Sequence, residues 1–343
     1  MNLNDFDYNL PRDLIAQRPS KPRSSSKLLV VEKNIISTFS DIYKFLDEND
    51  ILVINNTRVI PAVIISEVNK KKVKITLHTK LSSNNWKAFA KPSSFLEAGS
   101  IINFKDNITA KVLNKKGAHV ELSFNLLDNK LVYDFLNKYG ELPIPPYIKI
   151  KDSKENNEKN YQSIFSKNYG AYASPTASLH FDSELLNNIK KKNIDIIEIT
   201  LHVGAGTFLP LKNNFVERNK LHKEKGFISY QSALKISNAI KAKKRVVALG
   251  TTVLRLLEDC YMKYSEIKQY NEETNLFIYP GFKFKVVDKL ITNFHLPKSS
   301  LFLLVSAFGG NKKVMHYYNY AIEKKMRFFS YGDGMIINRF DEI

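Results

Sequence analysis

The sequence predicts an α/β fold in which a layered α/β domain carries an inserted, small all-β barrel domain. After residue 161 of the 343-residue chain, strand-like and helix-like segments alternate, an order typical of a largely parallel, layered sheet. Between residues 59 and 124, β-rich runs instead follow one another with no helix between them, which is typical of a closed barrel. We therefore expect an α/β domain at 1–60 and 149–343 and a barrel at 61–148.

The segments that precede the barrel are short. Residues 10–17 predict a short helix, and two compact apolar runs at 27–31 and 50–55 predict strands. We expect these first 58 residues to complete the sheet that the second half of the chain forms.

Hydrophobic and polar residues alternate in the barrel segment. Val73, Ile75 and Leu77 fall on one face of a predicted strand, whereas Lys74 and Thr76 fall on the other. Runs rich in Asn, Lys, Gly and Ser separate the strands and have the composition of turns.

The elements that follow the barrel are predicted from periodicity, caps and turn residues. They are a helix at 130–138, a surface loop at 149–160, a helix at 182–193, a strand at 194–203, a helix at 229–244, a strand at 245–249, a helix at 253–259, two strands around a turn within 275–288, and a buried helix at 301–308.

The chain is strongly basic, with 52 Lys and Arg against 34 Asp and Glu and a formal net charge of +18. Such a charge favours a polyanionic partner such as RNA, although lysines on solvated faces would also explain it. The single cysteine, Cys260, excludes an intrachain disulfide and a cysteine metal cluster. The first residues lack the apolar core of a secretory signal, and the longest apolar run is far shorter than the roughly 20 residues that span a bilayer. We expect a cytoplasmic protein with no membrane partner.

Two glycine-containing turns follow predicted strands. In the first, Gly204 and Gly206 would let a nucleotide or S-adenosylmethionine approach the backbone. Pro210 is poorly placed for the helix that such a site needs, so a strand exit without a ligand is the alternative. In the second turn, Thr251 and Thr252 would either cap the following helix or leave its N–H groups for an anion.

Histidines lie beside several of these loops. His180, His202 and His295 each adjoin a loop rich in small residues or proline, which favours a shared cleft over separate structural roles. His222 and Glu224 lie in a charged loop, where they would act as a base with its orienter or belong to a solvated charge run. No histidine pair has the spacing of a helical zinc site, and no acidic cluster suggests magnesium, so we expect no metal.

Taken together, these motifs resemble the S-adenosylmethionine:tRNA ribosyltransferase-isomerase family of queuosine biosynthesis. The resemblance extends over nearly the whole chain, and the order of its motifs is highly specific. The matching stretches are FDYNLPRDLIAQRP (6–19), RSSSKLLVV (23–31), LVINNTRVIPA (52–62), YGELPIPPYI (139–148), YQSIF (161–165), GAYASPTASLHF (170–181), LHVGAGTF (201–208), GTTVLR (250–255), IYPGFKFKVVDKLITNFHLPKSSLFLLVSAFGG (278–310) and RFFSYGDGM (327–335).

The resemblance implies an α/β domain with an inserted barrel, and it implies a reaction. The ribosyl moiety of S-adenosylmethionine is transferred and isomerised onto 7-aminomethyl-7-deazaguanine, the preQ1 base, at the wobble position of a tRNA anticodon. The products are epoxyqueuosine-tRNA, adenine and methionine, so S-adenosylmethionine is consumed as a cosubstrate. We expect a monomer that acts on preQ1-containing tRNA.

This chemistry needs a base near the C5′ protons beside the sulfonium and an acid near the departing adenine. Histidines suit both roles near neutral pH. The candidates within the family motifs are His180, His202, His222 and His295, and the choice between base and acid stays open.

The other predicted contacts divide between cosubstrate and RNA. Those to S-adenosylmethionine are assigned to Gly204, Gly206, Thr251, Thr252, Tyr279 and Asn293. Those to RNA phosphates or to the methionine carboxylate are assigned to Arg58, Arg255 and Lys298. Because the sulfonium and aminomethyl groups are both cationic, charge relief is expected from Tyr279, Phe282, Glu198, Glu258 or Asp288.

The chain departs from the usual family pattern at three positions: Ser178, Asn219 and Val253 stand where Gly, His and Ser are usual. Asn219 weakens the case for a catalytic histidine pair beside His222. Two other functions stay open at this point. An S-adenosylmethionine-dependent RNA methyltransferase would yield methylated RNA, and a non-catalytic tRNA-binding protein would show salt-sensitive binding without consuming the cosubstrate.

Overall fold

A computed structural model describes residues 1–68, 70–126, 128–149, 153–204 and 210–340. The chain divides into two compact units. The first comprises the described residues within Met1–Arg58, Pro146–Lys151 and Asn160–Ile343, and the second those within Val59–Pro145 and Asp152–Lys159. The domain boundaries at 60 and 149 stay a prediction.

The strands are numbered in chain order. They are β1 (Lys27–Val30), β2 (Ile35–Thr38), β3 (Asp50–Asn55), β4 (Thr57–Val59), β5 (Val63–Val68), β6 (Lys71–Lys80), β7 (Asn85–Lys91), β8 (Ile101–Asn103), β9 (Thr109–Lys116), β10 (His119–Phe124), β11 (Asn168–Ala171), β12 (Asp195–Leu201), β13 (Glu224–Ile228), β14 (Arg245–Leu249), β15 (Tyr270–Thr274), β16 (Lys289–Asn293) and β17 (Gly334–Asn338).

The α-helices are numbered in the same way. They are α1 (Asn129–Tyr139), α2 (Lys154–Tyr161), α3 (Ser183–Lys191), α4 (Tyr230–Lys241), α5 (Thr251–Tyr264), α6 (Ser300–Gly309) and α7 (Asn311–Glu323). None of the helices in the described ranges is long and apolar enough to cross a membrane.

The first unit contains a sheet whose strand order is β15-β13-β12-β3-β14-β16-β17-β1-β2. The strands β12, β3, β14 and β16 are mutually parallel. The two predicted strands of the first 58 residues, β1 and β3, join the sheet, and β2 is a further strand at its edge. The expectation of a largely parallel sheet is only partly right, because β13, β15, β17 and β2 form antiparallel pairs. The short connection between β1 and β2 permits antiparallel pairing, whereas parallel neighbours need a longer crossover.

The core of this unit lies on both faces of the sheet. Leu52 and Ile54 of β3 belong to one apolar cluster, and Ile51 and Val53 belong to the other. Because side chains alternate along a strand, a strand that is buried on both faces reads as a continuous apolar run. This explains the sequence DILVIN.

The second unit contains a closed barrel with the strand order β10-β7-β6-β5-β8-β9. Val73, Ile75 and Leu77 are fully buried, as the alternation predicted. Phe135 of α1 contacts the rings of Phe104 and Phe124 within this unit. The predicted fold class, an α/β domain with a small all-β barrel, is confirmed.

Three local predictions are wrong. Within 10–17 the structure has only a 3-10 turn at Arg12–Leu14, because Ile15 instead pairs with Phe328 in a bridge. Within the predicted loop 149–160, residues from Lys154 onward are helical, since Ser153 accepts hydrogen bonds from the N–H groups at the start of α2.

The third wrong prediction concerns 275–288, which contain no strand. The carboxylate of Glu258 on α5 accepts hydrogen bonds from the N–H groups of Lys285, Val286 and Val287 at 2.9–3.0 Å. A buried side chain therefore satisfies the backbone that a neighbouring strand would otherwise pair.

Candidate active site

Several loops of the first unit meet at one edge of its sheet. The parallel strands β12, β14 and β16 end there, so Gly204, Gly250 and Asn293 lie at that edge. The neighbours β13 and β17 run antiparallel to them, and their first residues, Glu224 and Gly334, reach the same edge. Open α/β sheets bind ligands outside the carboxyl ends of their parallel strands.

A cavity of about 500 Å³ lies at this edge, a volume in the usual range of small-molecule sites. All of its lining residues belong to the first unit. Those with polar or aromatic side chains include Tyr147, Ser174, Glu224, Thr251, Thr252, Arg255, Thr292, Asn293, His295, Lys298, Phe329 and Ser330.

The predicted site residues divide between the lining and its surroundings. The lining contains Thr251, Thr252, Arg255, Asn293, His295 and Lys298. Gly204 and His222 line a smaller adjoining pocket, which shares Glu224 and Arg255 with the cavity. Gly206 lies outside the described residues.

His295 lies two residues beyond the end of β16, and its backbone is held on both sides. The hydroxyl of Tyr8 donates to its carbonyl oxygen, and its N–H donates to the hydroxyl of Tyr318 at 3.2 Å. The ring Nε2 shares a hydrogen bond with Thr292 Oγ1 at 2.9 Å. Desolvation by burial lowers the pKa of His295 to about 3, so the imidazole is neutral at pH 7. The neutral ring therefore adds no positive charge to the cavity wall.

Asn293 links this wall to a second histidine. Its Nδ2 donates to the carbonyl oxygen of Phe329 and to His180 Nε2, both at 3.0 Å. Because His180 Nε2 accepts, the ring hydrogen must lie on Nδ1, which contacts Ser26 Oγ at 2.6 Å. The Ser26 hydroxyl in turn donates to the carbonyl oxygen of Arg23. This chain of bonds fixes the Asn293 amide, and its buried Oδ1 has no partner in the described ranges.

His180 itself is not part of the cavity lining. Its ring stacks on Phe39 with the centroids 3.9 Å apart. Burial, and secondarily the charge of Arg327, lowers the pKa of His180 to about 3. Its geometry suits the positioning of Asn293, and its catalytic role stays a prediction.

His202 directly follows the last residue of β12, and it also lies outside the cavity lining. Its Nδ1 shares a hydrogen bond with Thr57 Oγ1 at 2.7 Å, and burial lowers its pKa to about 4. Gly170 has a φ of 151°, and a Cβ atom at this position would lie 2.8 Å from the His202 ring. Only glycine leaves room for this ring, which explains why the loop 170–175 begins with Gly170.

The charged part of the lining is an ion pair. Arg255 Nη1 donates to Glu224 Oε2 at 2.5 Å, and Arg255 Nε donates to the carbonyl oxygen of Leu276 at 3.1 Å. Glu224 Oε1 accepts the N–H of Gly204 at 2.8 Å. Arg255 is only 6% exposed, and among the described residues its Nη2 has no hydrogen-bond partner. A buried guanidinium nitrogen in the wall of a cavity suits an anionic ligand.

The predicted cap of α5 is wrong. Gly250, with a φ of 96°, occupies the N-cap position, and no side chain caps the helix. The hydroxyl of Thr252 instead accepts a hydrogen bond from Asn55 Nδ2 at 3.1 Å. The structure therefore agrees with the alternative, in which no side chain of the described residues caps the first N–H groups of α5.

The remaining predicted contacts lie elsewhere. Lys298 lines the cavity, but its ammonium pairs with Asp7 at 2.7 Å. Arg58 stacks over Tyr169 outside the lining, and Tyr279 packs against Phe277. Of the carboxylates proposed for charge relief, Glu198 pairs with Lys167, Glu258 holds backbone N–H groups, and Asp288 contacts Arg339. Among the described residues that line the cavity, Glu224 is the one with a carboxylate side chain.

Two of the three family departures have structural roles. Asn219 Oδ1 accepts the N–H groups of Lys212 and Asn213, so this side chain organises a loop. Val253 is fully buried in the core. Ser178 has no such role, because its buried hydroxyl has no hydrogen-bond partner among the described residues.

Sequence reasoning missed several lining residues. Glu224 was weighed only as a partner of His222, although Glu224, Gly226 and Ile228 alternate as the buried positions of β13. Phe329 supplies the carbonyl that orients Asn293 and adopts a φ of 73°, which is uncommon for an aromatic residue. In neither case could spacing alone have shown which group faces the cavity.

The two units, one with a mixed sheet and a cavity of small-molecule size at its edge and one with a closed barrel, define a two-unit α/β protein. Residues 3–337 match the family model described as queuosine biosynthesis protein, and the chain belongs to this family.

Similar proteins carry consistent names. S-adenosylmethionine:tRNA ribosyltransferase-isomerase from Rickettsia bellii strain RML369-C is 40% identical over 99% of this chain and 99% of its own length. The protein of the same name from Clostridioides difficile strain 630 is 41% identical over 98% of this chain and all of its own length. The crystal structure of S-adenosylmethionine tRNA ribosyltransferase from Thermotoga maritima matches with a TM-score of 0.55 and 31% identity, over 97% of this chain and 99% of that one. The family resemblance inferred from the motifs is confirmed.

Proposed function

We propose that this protein is an S-adenosylmethionine:tRNA ribosyltransferase-isomerase. It transfers the ribosyl part of S-adenosylmethionine to the preQ1 base at the anticodon wobble position and isomerises it to epoxyqueuosine. In the overall balance, one N–C bond forms at the aminomethyl nitrogen. A C–C bond that closes the carbocycle and the C–O bond of the epoxide also form, while the glycosidic bond to adenine, one C–O bond of the ribose ring and the C5′–S bond break. Adenine takes up one proton, and one proton is released.

One observation in the structure carries the proposal furthest. Neutral and charged hydrogen-bonding groups converge on one cavity at the ligand-binding edge of the sheet, and some of their buried polar atoms have no partner. Such groups are costly to bury unless a ligand completes them. S-adenosylmethionine has an adenine, a ribose and an amino-acid end, so it offers both neutral and charged partners for this lining.

Within this cavity we assign the C5′ base to His295. Its imidazole is neutral and lies in the lining, so a ring lone pair is available to the C5′ proton that the adjacent sulfonium acidifies. Because the burial that lowers the pKa of His295 also weakens it as a base, the acidity of that C–H bond has to drive the transfer. A neutral imidazole also adds no positive charge beside a cationic substrate. His180 and His202 act in this proposal as positioning residues for Asn293 and for the loop at Gly170.

The finer parts of the assignment are proposals of the same kind. The substrate is a tRNA that carries preQ1, the protein acts as a cytoplasmic monomer, and the basic charge and Arg58 contact RNA phosphates. A reaction without a metal is part of the same proposal.

The experiment incubates the purified protein with S-adenosylmethionine and an anticodon stem-loop that carries preQ1, and it measures adenine. We expect adenine and methionine to appear only with the modified RNA. Methylated RNA with S-adenosylhomocysteine would favour the methyltransferase alternative. Tight RNA binding without consumption of S-adenosylmethionine would instead favour a binding protein.

A further inference from the structure

We propose that Arg255 Nη2 and the first N–H groups of α5 form a carboxylate-binding subsite, which holds the amino-acid end of S-adenosylmethionine. The identity of the ligand rests on the proposed function. The subsite itself rests on the geometry of the cavity wall.

The guanidinium of Arg255 is fixed on one side only. Glu224 and the carbonyl oxygen of Leu276 hold Nη1 and Nε, and Gly204 holds the second oxygen of Glu224. Within the part of the chain that the structure describes, Nη2 is left with no partner although the residue is more than nine-tenths buried. A buried donor on a charged group that stays unpaired is costly, so an acceptor is expected to meet it in the cavity.

The N-terminus of α5 supplies a second, independent set of donors. This 14-residue helix begins at Thr251, directly after Gly250, and no side chain caps it. Its first N–H groups therefore have no acceptor within the helix, and its dipole favours negative charge there. Gly250, Thr251, Thr252 and Arg255 all line the same cavity.

The chemistry of these donors selects a small anion. Glu224 neutralises most of the charge of Arg255, so the pair alone is balanced, while the helix terminus still attracts an acceptor. A planar guanidinium matches the two oxygens of a carboxylate. An RNA phosphate is disfavoured because a residue that is 6% exposed is out of reach for most of a polynucleotide backbone.

The test compares two ligands that differ only in this group. Isothermal titration calorimetry measures the affinity of S-adenosylmethionine and of its decarboxylated analogue, in the absence of RNA. Hydrogen bonds to a charged group typically contribute about 10- to 150-fold in affinity, so we expect the native protein to prefer S-adenosylmethionine by about that factor. In Arg255→Gln the preference should disappear, because only the carboxylate-bearing ligand loses a partner.

Two further variants keep the test valid. Arg255→Gln removes the guanidinium that neutralises the buried Glu224, which is expected to destabilise the fold. The double variant Glu224→Gln/Arg255→Gln removes both charges, and circular dichroism melting checks that it is folded. The control is Arg245→Gln, since Arg245 pairs with Asp47 and Asp50 near the amino end of β14, at the opposite edge of the sheet. It should retain the full preference for the carboxylate.

The outcomes separate this inference from the proposed function. Equal affinity of both ligands for the native protein, no binding of S-adenosylmethionine, or an unchanged preference in the folded double variant would overturn the subsite. Weaker stem-loop binding by Arg255→Gln with the ligand preference intact would assign the arginine to an RNA phosphate instead. A native protein that discriminates between the ligands but releases no adenine would retain the subsite and refute the proposed function.

Discussion

Two groups of buried polar side chains line the cavity, and they differ in charge. Glu224 and Arg255, from β13 and α5, form an ion pair. Thr292, Asn293 and His295, on or just after β16, are uncharged and hydrogen-bonded. In the sheet, β13 and β16 are separated by β12, β3 and β14, so the two groups come from different parts of the chain and of the sheet.

The two groups differ in how the desolvation cost of their buried polar atoms is offset. Glu224 and Arg255 are paired at 2.5 Å, and further hydrogen bonds satisfy most of their polar atoms, which offsets the cost of burying them. His295 has no carboxylate partner among the described residues, so desolvation removes its charge. The charged group is therefore suited to hold an ionic end of a ligand, and the neutral group is suited to accept a proton near a cation.

The largest expected effect tests the neutral group directly. His295→Gln removes the proton acceptor but keeps a polar side chain of similar size, so adenine release should fall by about 10²- to 10⁴-fold. Binding of S-adenosylmethionine by calorimetry should change far less. The matched control is His316→Gln on the exposed face of α7. Full activity of His295→Gln would remove this residue from the chemistry.

The next effect concerns the stability of the neutral group against pH. His180 and His295 have pKa values near 3 in the folded state, well below about 6.5 in an unfolded chain. The unfolded state thus binds more protons between these values, and stability falls as the pH is lowered. We expect the free energy of unfolding to fall by about 2 kcal/mol for each histidine when the pH is lowered from 7 to 5.

Urea unfolding at several pH values measures this loss. Replacing either histidine by Gln should flatten the pH dependence by one histidine's share. An unchanged slope in His180→Gln would mean that the imidazole is not held neutral in the native protein.

A smaller effect separates positioning from chemistry within the neutral group. In His180→Gln, the new amide oxygen can still accept from Asn293 Nδ2, whereas His180→Leu offers no acceptor. Losing this bond typically costs about 1–3 kcal/mol, so kcat/KM for adenine release should fall by about 5- to 150-fold in the Leu variant. The Gln variant should stay close to native activity. An equal and large loss in both variants would point to a catalytic imidazole.

The smallest effect is expected at the exposed ion pair between Lys298 and Asp7. The side chains of Lys298 and Asp7 are 40% and 48% exposed, so their pair should contribute less than about 1 kcal/mol to stability. Lys298→Gln should leave the affinity for S-adenosylmethionine almost unchanged. If Lys298 contacts an RNA phosphate, the slope of log K against log salt for stem-loop binding should fall by about one. An unaltered slope would place this lysine outside the RNA interface.

The comparison also shows which site residues the sequence could reveal. Asn293, His295 and Lys298 stand in one short motif, and all three line the cavity. His180 was found by the same reasoning, yet the bond through which it acts depends on Asn293, 113 residues away. Glu224 could not be recognised, because a charged strand whose alternate residues are buried has the same composition as a solvated loop.

The sequence by itself determined the fold class, the continuous apolar strands, the alternation of the barrel strands and the family. These features follow from local periodicity and from the order of motifs, which a linear chain displays directly. Only the tertiary structure decided that Glu258 replaces a strand partner for residues 285–287, that Gly250 leaves α5 uncapped, and that Arg255 keeps a free nitrogen. Hydrogen-bond satisfaction and desolvation depend on groups distant in sequence that the packed sheet brings together, so no local pattern contains them.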